Sequence, residues 1–257
     1  MKSIFLKLYL YWSLFIFTVV MLVLLPFMVL PYAIGLKYGS HISYYFMRLW
    51  GLHFVFPNGG IRFRVHGREK IKGLKACIYC ANHNSFMDTP AAVAAVPRAM
   101  KPLGKVEMLK VPIFGFIYRY VVVLVDRQSP ESRRRSMIQM QQQIQNGVSI
   151  LIFPEGSMNV TTEPMQPFFD GAFRIAVDAQ CPIVPMVIVG SAARLRAKGS
   201  FNLSPGPIDI YLLDPINTAG MKAGQVAALR TQVYDLMLAE YLRRGGKSAK
   251  ALVPIVT

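Results

Sequence analysis

Residues 8–36 contain no charged side chain, and nothing else in the chain restricts its folding so severely. As a helix, those 29 residues rise roughly 43 Å, more than the hydrocarbon core of a bilayer requires. Pro26 and Pro31 interrupt the last third, and Lys2 and Lys7 on one side are answered by Lys37 on the other, so charge selects no orientation. A full span and a monotopic hairpin that returns to the same face fit equally well. Downstream, residues 42–56 gather Tyr44, Tyr45, Phe46, Trp50, Phe54 and Phe56 around a lone Arg48, as expected of a helix lying at headgroup level. A cleaved leader does not fit, because the apolar run is too long and no small-residue cleavage pattern follows. Residues 1–56 are therefore expected to be membrane-associated helices.

Pro57, Asn58, Gly59 and Gly60 punctuate the chain, and a single domain is expected over 57–257. Ile61, Phe63 and Val65 then alternate with Arg62, Arg64 and His66, as in a half-exposed strand. Further apolar strands are predicted at 76–81, 121–125, 148–153, 183–189 and 208–213. Helical patterns fall at 88–96, 131–145 (ending on Asn146-Gly147), 171–180 and 221–244. Strand and helix in alternation predict an α/β fold, with a mixed, largely parallel sheet flanked by helices.

Lys and Arg outnumber Asp and Glu by 29 to 13, a net charge of +16 that attracts phosphate lipids, nucleic acid or an acidic carrier protein. No nucleic-acid motif accompanies the charge, so no nucleic-acid partner is expected. Basic clusters at Arg133, Arg134 and Arg135, and at Arg243, Arg244, Lys247 and Lys250, suit anionic headgroups, phosphate groups or the acidic face of a carrier protein. The three cysteines, Cys77, Cys80 and Cys181, are too few for a disulfide framework and point to a reducing compartment. Cys77 and Cys80 lie in one predicted strand with side chains on opposite faces, which disfavours a metal or redox pair. No metal site is expected.

The sharpest local feature runs from Ala81 to Pro90, where an apolar strand ends and a helix begins within ten residues. His83 leaves the strand, and Asp88 stands at the helix start, where a carboxylate can accept backbone N–H bonds. Five residues across a turn can bring the two together. A carboxylate that accepts one imidazole N–H leaves the other nitrogen bare, ready to take a proton from an alcohol. Glu155 and Gly156 close a second apolar strand, and parallel pairing would bring them to the same sheet edge as His83.

Four ordered blocks within residues 62–213 resemble the lysophosphatidic acid acyltransferases of the glycerophosphate acyltransferase superfamily. Asn82, His83 and Asp88 match the family's Asn-His-x-x-x-x-Asp block, the HX4D motif. Lys105-Val106-Glu107-Met108, Pro112, Gly115 and Asp126-Arg127 resemble its second block, Phe153-Pro154-Glu155-Gly156-Ser157-Met158 its third, and Pro182-Ile183-Val184-Pro185-Met186 its fourth. The resemblance implies acyl transfer from a thioester, acyl-CoA or acyl-ACP, to the free hydroxyl of a lysophospholipid acceptor, 1-acyl-glycerol-3-phosphate, giving phosphatidic acid, without a cofactor. It implies His83 as general base and Asp88 as its orienting partner, with Asn82, Lys105, Glu107, Arg127, Glu155, Gly156 and Ser157 binding substrate. It also implies a cell-membrane location with the catalytic domain facing the cytoplasm. Where the family usually has a phosphate-gripping arginine, this chain has Met158, which donates no hydrogen bond. Phosphate recognition would then fall to Lys105 and Arg127, with Arg174 a further candidate from position alone. Another lyso-lipid acceptor, or a membrane-surface binding protein without activity, are the alternatives.

Overall fold

The computed structural model describes residues 2–36, 38–52, 60–195 and 203–247. Lys37, Phe54, Phe56, Pro57, Asn58, Gly59 and Lys250, all used above, lie outside the described residues, and so does the expected boundary between 56 and 57.

The charge-free run forms one helix, α1 (Lys2–Ala33), with Pro26 and Pro31 inside it. A turn leads into α2 (Gly39–Leu52), which folds back along α1. Phe17 lies beside Trp50 and Phe27 beside Phe46, with ring centroids 4.7 and 4.9 Å apart, so the pair is an antiparallel hairpin. Gly39 permits the closest approach: a Cβ there would strike the backbone of Pro31. Near its start, Tyr9 packs at Gly60. Near its end, the ring of Tyr32 lies 3.8 Å from Lys101 Nζ, and that ammonium donates to Tyr120 O. Held at both places, α1 lies along the α/β domain instead of projecting from it. Its outer face carries exposed Tyr11, Trp12, Phe15, Val23, Phe27 and Leu30. Among the described residues it is the one helix long and apolar enough to cross a bilayer.

Seven strands form one sheet: β1 (Ile61–His66), β2 (Ile78–Ala81), β3 (Met100–Lys105), β4 (Val123–Val125), β5 (Ser149–Ile152), β6 (Ile183–Val189) and β7 (Gly206–Leu212). Their order is β1-β7-β6-β2-β5-β3-β4. Strands β6, β2, β5, β3 and β4 are mutually parallel, while β7 runs antiparallel to β6 and carries β1 parallel to itself. The remaining helices are α3 (Asp88–Ala95), α4 (Phe114–Val121), α5 (Pro130–Gln145), α6 (Gly171–Asp178), α7 (Ser191–Arg194) and α8 (Val226–Arg243). One core layer gathers residues of α1, α2, α3 and α4, the other those of α5, α6 and α8. Strand β2 divides its side chains between them: Tyr79 and Ala81 face the first layer, Ile78 and Cys80 the second.

Strand β3, helix α4 and strand β4 differ from the sequence reading. Strand β3 was not expected, because Lys101, Pro102, Gly104 and Lys105 interrupt its apolar character. Its register resolves the proline: β3 pairs with β5 through Pro102 and with β4 from Leu103 onward, so Pro102 stands where the partner changes. The expected strand at 121–125 is shorter, since Val121 ends the unexpected helix α4 and only Val123–Val125 pair. Helix α5 begins on a Ser129 cap and ends at Asn146, with Gly147 at φ 77°, as its turn residues predict.

Candidate active site

Parallel pairing brings the C-terminal ends of β2, β3, β4 and β5 to one edge, so His83, Lys105, Arg127 and residues 153–158 converge although they span 76 positions in sequence (83 to 158). Helix α3 then starts immediately beyond the His83 loop. It is rich in alanine and almost wholly buried, and its C-terminal carbonyls are met by Arg68, Arg48 and Tyr44.

His83 Nδ1 lies 2.9 Å from Asp88 Oδ2. The same oxygen accepts the backbone N–H groups of Asn84 at 2.6 Å and Ser85 at 2.7 Å. Asp88 was expected to accept bonds from its own helix; it reaches back instead into the preceding loop, and no side chain caps α3. Oδ2 already accepts two backbone N–H groups, so a proton on Nδ1 would complete its set of donors and leave Nε2 as the acceptor. The imidazole stacks on Phe153, 4.1 Å between centroids and 18° from parallel. The loop after β5 also grips the backbone of His83, whose N–H donates to Glu155 Oε1 (2.8 Å) and whose carbonyl accepts from Asn159 N (2.6 Å). Farther round, Asn84 Nδ2 donates to the Tyr241 hydroxyl of α8 at 2.8 Å, and Ser85 Oγ to Leu195 O at 2.5 Å.

Beside this loop lies a cavity of about 620 Å³ lined by His83, Thr89, Lys105, Arg127, Gly156, Ser157 and Met158 at its polar part. Apolar residues line the rest: Leu10, Leu14 and Phe17 of α1, Met47 and Trp50 of α2, and Phe114, Ile117 and Val121 of α4. Gly156 is required twice over. Its φ is 76°, and a Cβ there would meet the Phe169 ring at 2.8 Å and Arg127 Nη1 at 3.3 Å.

Of the expected substrate contacts, Lys105, Arg127, Gly156 and Ser157 line the cavity, whereas Asn82, Glu107 and Glu155 do not. Asn82 is fully buried, and its amide exchanges two bonds with the backbone of Ile188, tying β2 to β6. Both oxygens of Glu155 are taken inside the protein, one by His83 N and the other by Gln166 N (2.9 Å). Burial pushes its carboxyl up to about 7, those two bonds pull down, and the charge of Asp88 adds to the rise. Burial holds Arg127 below the ordinary arginine value, and the charge of Glu107, exposed on the outer surface, opposes that shift. Arg174 is exposed on α6 and lies off the cavity.

Cys77, Cys80 and Cys181 are buried, and burial pushes the Cys77 thiol up to about 11, far from a reactive thiolate. Among the basic clusters, Arg135 pairs with Glu131, while Arg243 and Arg244 share Glu240. Sequence reasoning missed Phe153 as the ring's platform and Asn159, Gln166 and Tyr241 as supports. Phe153 stands beside the quoted Pro-Glu-Gly and carried a signal; the others are distant partners that local pattern does not reveal.

A family model described as Acyltransferase matches residues 62–189, which contain the whole His83 network apart from its outer braces at Leu195 and Tyr241. The fold and its site thus define an acyl-transferring enzyme. The chain is similar to the 1-acyl-sn-glycerol-3-phosphate acyltransferase alpha of Bos taurus, 30% identical over 194 residues, 75% of this chain and 67% of that protein. The beta protein of Homo sapiens is 29% identical over 185 residues, 71% of this chain and 66% of its own length. In fold, the crystal structure of the 1-acyl-sn-glycerophosphate acyltransferase PlsC from Thermotoga maritima superimposes with a TM-score of 0.78 at 22% identity, covering 96% of this chain and 99% of that one. The chain belongs to the 1-acyl-sn-glycerol-3-phosphate acyltransferase family, and its helix α1 is long and apolar enough to cross a membrane.

Proposed function

We propose that the chain moves a fatty acyl group from a thioester, acyl-CoA or acyl-ACP, to the free hydroxyl of 1-acyl-glycerol-3-phosphate, giving phosphatidic acid. Residues 57–257 act as the catalytic domain and residues 1–56 hold it to the membrane. The observation that carries this reading is the three-donor clasp on Asp88 Oδ2, which presents His83 Nε2 to a cavity that is apolar for most of its length. Nε2 takes the hydroxyl proton as the acceptor oxygen attacks the thioester carbonyl carbon. A C–O bond forms, the C–S bond breaks, and the leaving thiolate takes the proton back from the imidazolium. Asp88 balances the imidazolium charge while it exists. No cofactor enters, because the thioester is already activated.

Lys105 and Arg127 hold the acceptor's phosphate, beside Gly156 and Ser157, and the apolar length of the cavity takes an acyl chain. Asn82 and Glu155 serve as positioning residues, and Glu107 tunes Arg127. Because α1 lies along the domain, the hairpin rests in one leaflet, on the cytoplasmic side where thioester donors occur. His83→Ala is expected to lower turnover by roughly 10²–10⁴-fold while the protein stays folded, read as thiol release dependent on lysophosphatidic acid. A folded mutant with normal turnover refutes the base assignment.

A second reading keeps the chemistry and changes the acceptor. Met158 lines the cavity where the resemblance calls for an arginine, which favours a lyso-lipid less dependent on its phosphate. Comparing acceptors with and without phosphate separates the two readings.

A further inference from the structure

Helix α4 has two apolar faces with different surroundings. Phe114, Ile117 and Val121 line the cavity, whereas Phe116, on the outer face, is 47% exposed. The turn leading into α4 continues that outer surface, with Val111 42% and Ile113 48% exposed around an exposed Pro112. A protein surface in water has no use for three large apolar side chains on six consecutive residues.

The backbone holds them outward at a cost. Ile113 has φ 62° and ψ −55°, a conformation rare for any residue with a side chain and rarer for a β-branched one. Phe114 N closes the turn onto Pro112 O at 2.6 Å, and buried Gly115 presses against the backbone of Leu109, where no Cβ would fit. Strain of this kind persists where surrounding structure imposes it, and it concentrates at working surfaces.

Two features say what covers this surface. First, it adjoins the end of α1: Phe116 meets Tyr120 at 5.5 Å between centroids, and Tyr120 meets Tyr32 of α1, itself partly exposed, at 6.1 Å. Second, exposed Lys110 and Arg119 flank it, and neither pairs with a carboxylate among the described residues. Apolar side chains between free cations complement an anionic phospholipid surface.

We propose that Val111, Ile113 and Phe116 form a second membrane contact, made by the catalytic domain itself, which inserts into an anionic phospholipid bilayer beside α1. The inference rests on the membrane association of α1 and not on the acceptor or on any catalytic role. Because the opposite face of α4 walls the cavity, insertion brings that wall to the lipid.

The test uses the full chain with one introduced cysteine carrying an environment-sensitive fluorophore, since the three native cysteines are buried. Ile113→Cys, Val23→Cys at an exposed position of α1 and Asp178→Cys at the exposed end of α6 are each mixed with vesicles of phosphatidylcholine and phosphatidylglycerol containing a nitroxide-labelled lipid. Positions 113 and 23 are expected to shift to the blue and to be quenched, with position 178 unaffected. Quenching at 23 without quenching at 113 overturns the proposal and leaves the membrane role of α1 standing; a protein partner covering the turn would give this result. Quenching at neither position overturns both. As a second measurement, Ile113→Gly removes the side chain where glycine accepts the backbone without strain. Combined with Val111→Ser and Phe116→Ser, it is expected to weaken partitioning onto the same vesicles several-fold, and unchanged partitioning contradicts the proposal.

Discussion

Two segments bound the same cavity by opposite means. The loop from Asn82 to Asp88 is held by directional hydrogen bonds: Asp88 Oδ2 clasps three donors, Asn82 binds Ile188, and Glu155 holds His83 from outside. In the segment from Met108 to Val122, the contribution is apolar packing, with the rings of Phe114 and Tyr118 tilted against each other at 5.3 Å and the strained turn at Ile113 turned outward. A directional network fixes one atom in space, which proton transfer demands. An apolar wall fixes only a volume, which suits a flexible chain that must enter and leave.

The largest expected effect of breaking the first segment without touching the second is Asp88→Asn. An amide carries no charge to offset the imidazolium, so kcat falls by roughly 10²–10⁴-fold with the cavity intact. A measured kcat within a few-fold of wild type would dissolve the distinction between the segments. Next comes Gly156→Ala, which forces a Cβ at φ 76° against Phe169 and Arg127. It should cost roughly 1–3 kcal/mol, seen as a lowered Tm, and raise KM for the acceptor through displacement of Arg127.

Glu155→Gln sharpens the comparison through pH. A carboxyl at about 7 when folded, against 4.5 in the ordinary state, holds its proton more tightly in the folded protein. Its stabilising share is complete below pH 4.5 and is lost as pH rises toward 7, so stability falls across that window. The glutamine variant should flatten the fall in denaturation midpoints measured between those values; an unchanged slope would remove Glu155 as its source. Smallest is Met158→Arg. A new charge-assisted donor beside the cavity should lower KM for a phosphate-bearing acceptor by roughly tenfold, with little change for a phosphate-free one. No change in either would show that position 158 does not reach the headgroup.

The two segments were also unequally legible in the sequence. His83 and Asp88 stand five apart across a strand-to-helix junction, so local pattern brought them together, and strong apolar runs placed β2, β5 and β6 nearly as they lie. Helix α4 escaped because its apolar residues run on into Val122–Val125, and β3 because a proline sits where its pairing partner changes. Glu155 was read as a substrate contact, since its burial depends on Gln166 and on the loop around Asn159, partners that only tertiary structure assembles. Composition fits hairpin and span equally; Tyr32 over Lys101 and Tyr9 at Gly60 show that α1 packs along the domain.

The clasp on one carboxylate oxygen governs which nitrogen of His83 carries a proton, and that can be read directly. In protein labelled with 15N at histidine, the neutral imidazole of His83 should show a protonated Nδ1 and a bare Nε2, and Asp88→Asn should alter that pattern. A neutral ring protonated at Nε2, or one indifferent to Asp88, would contradict the account at its base.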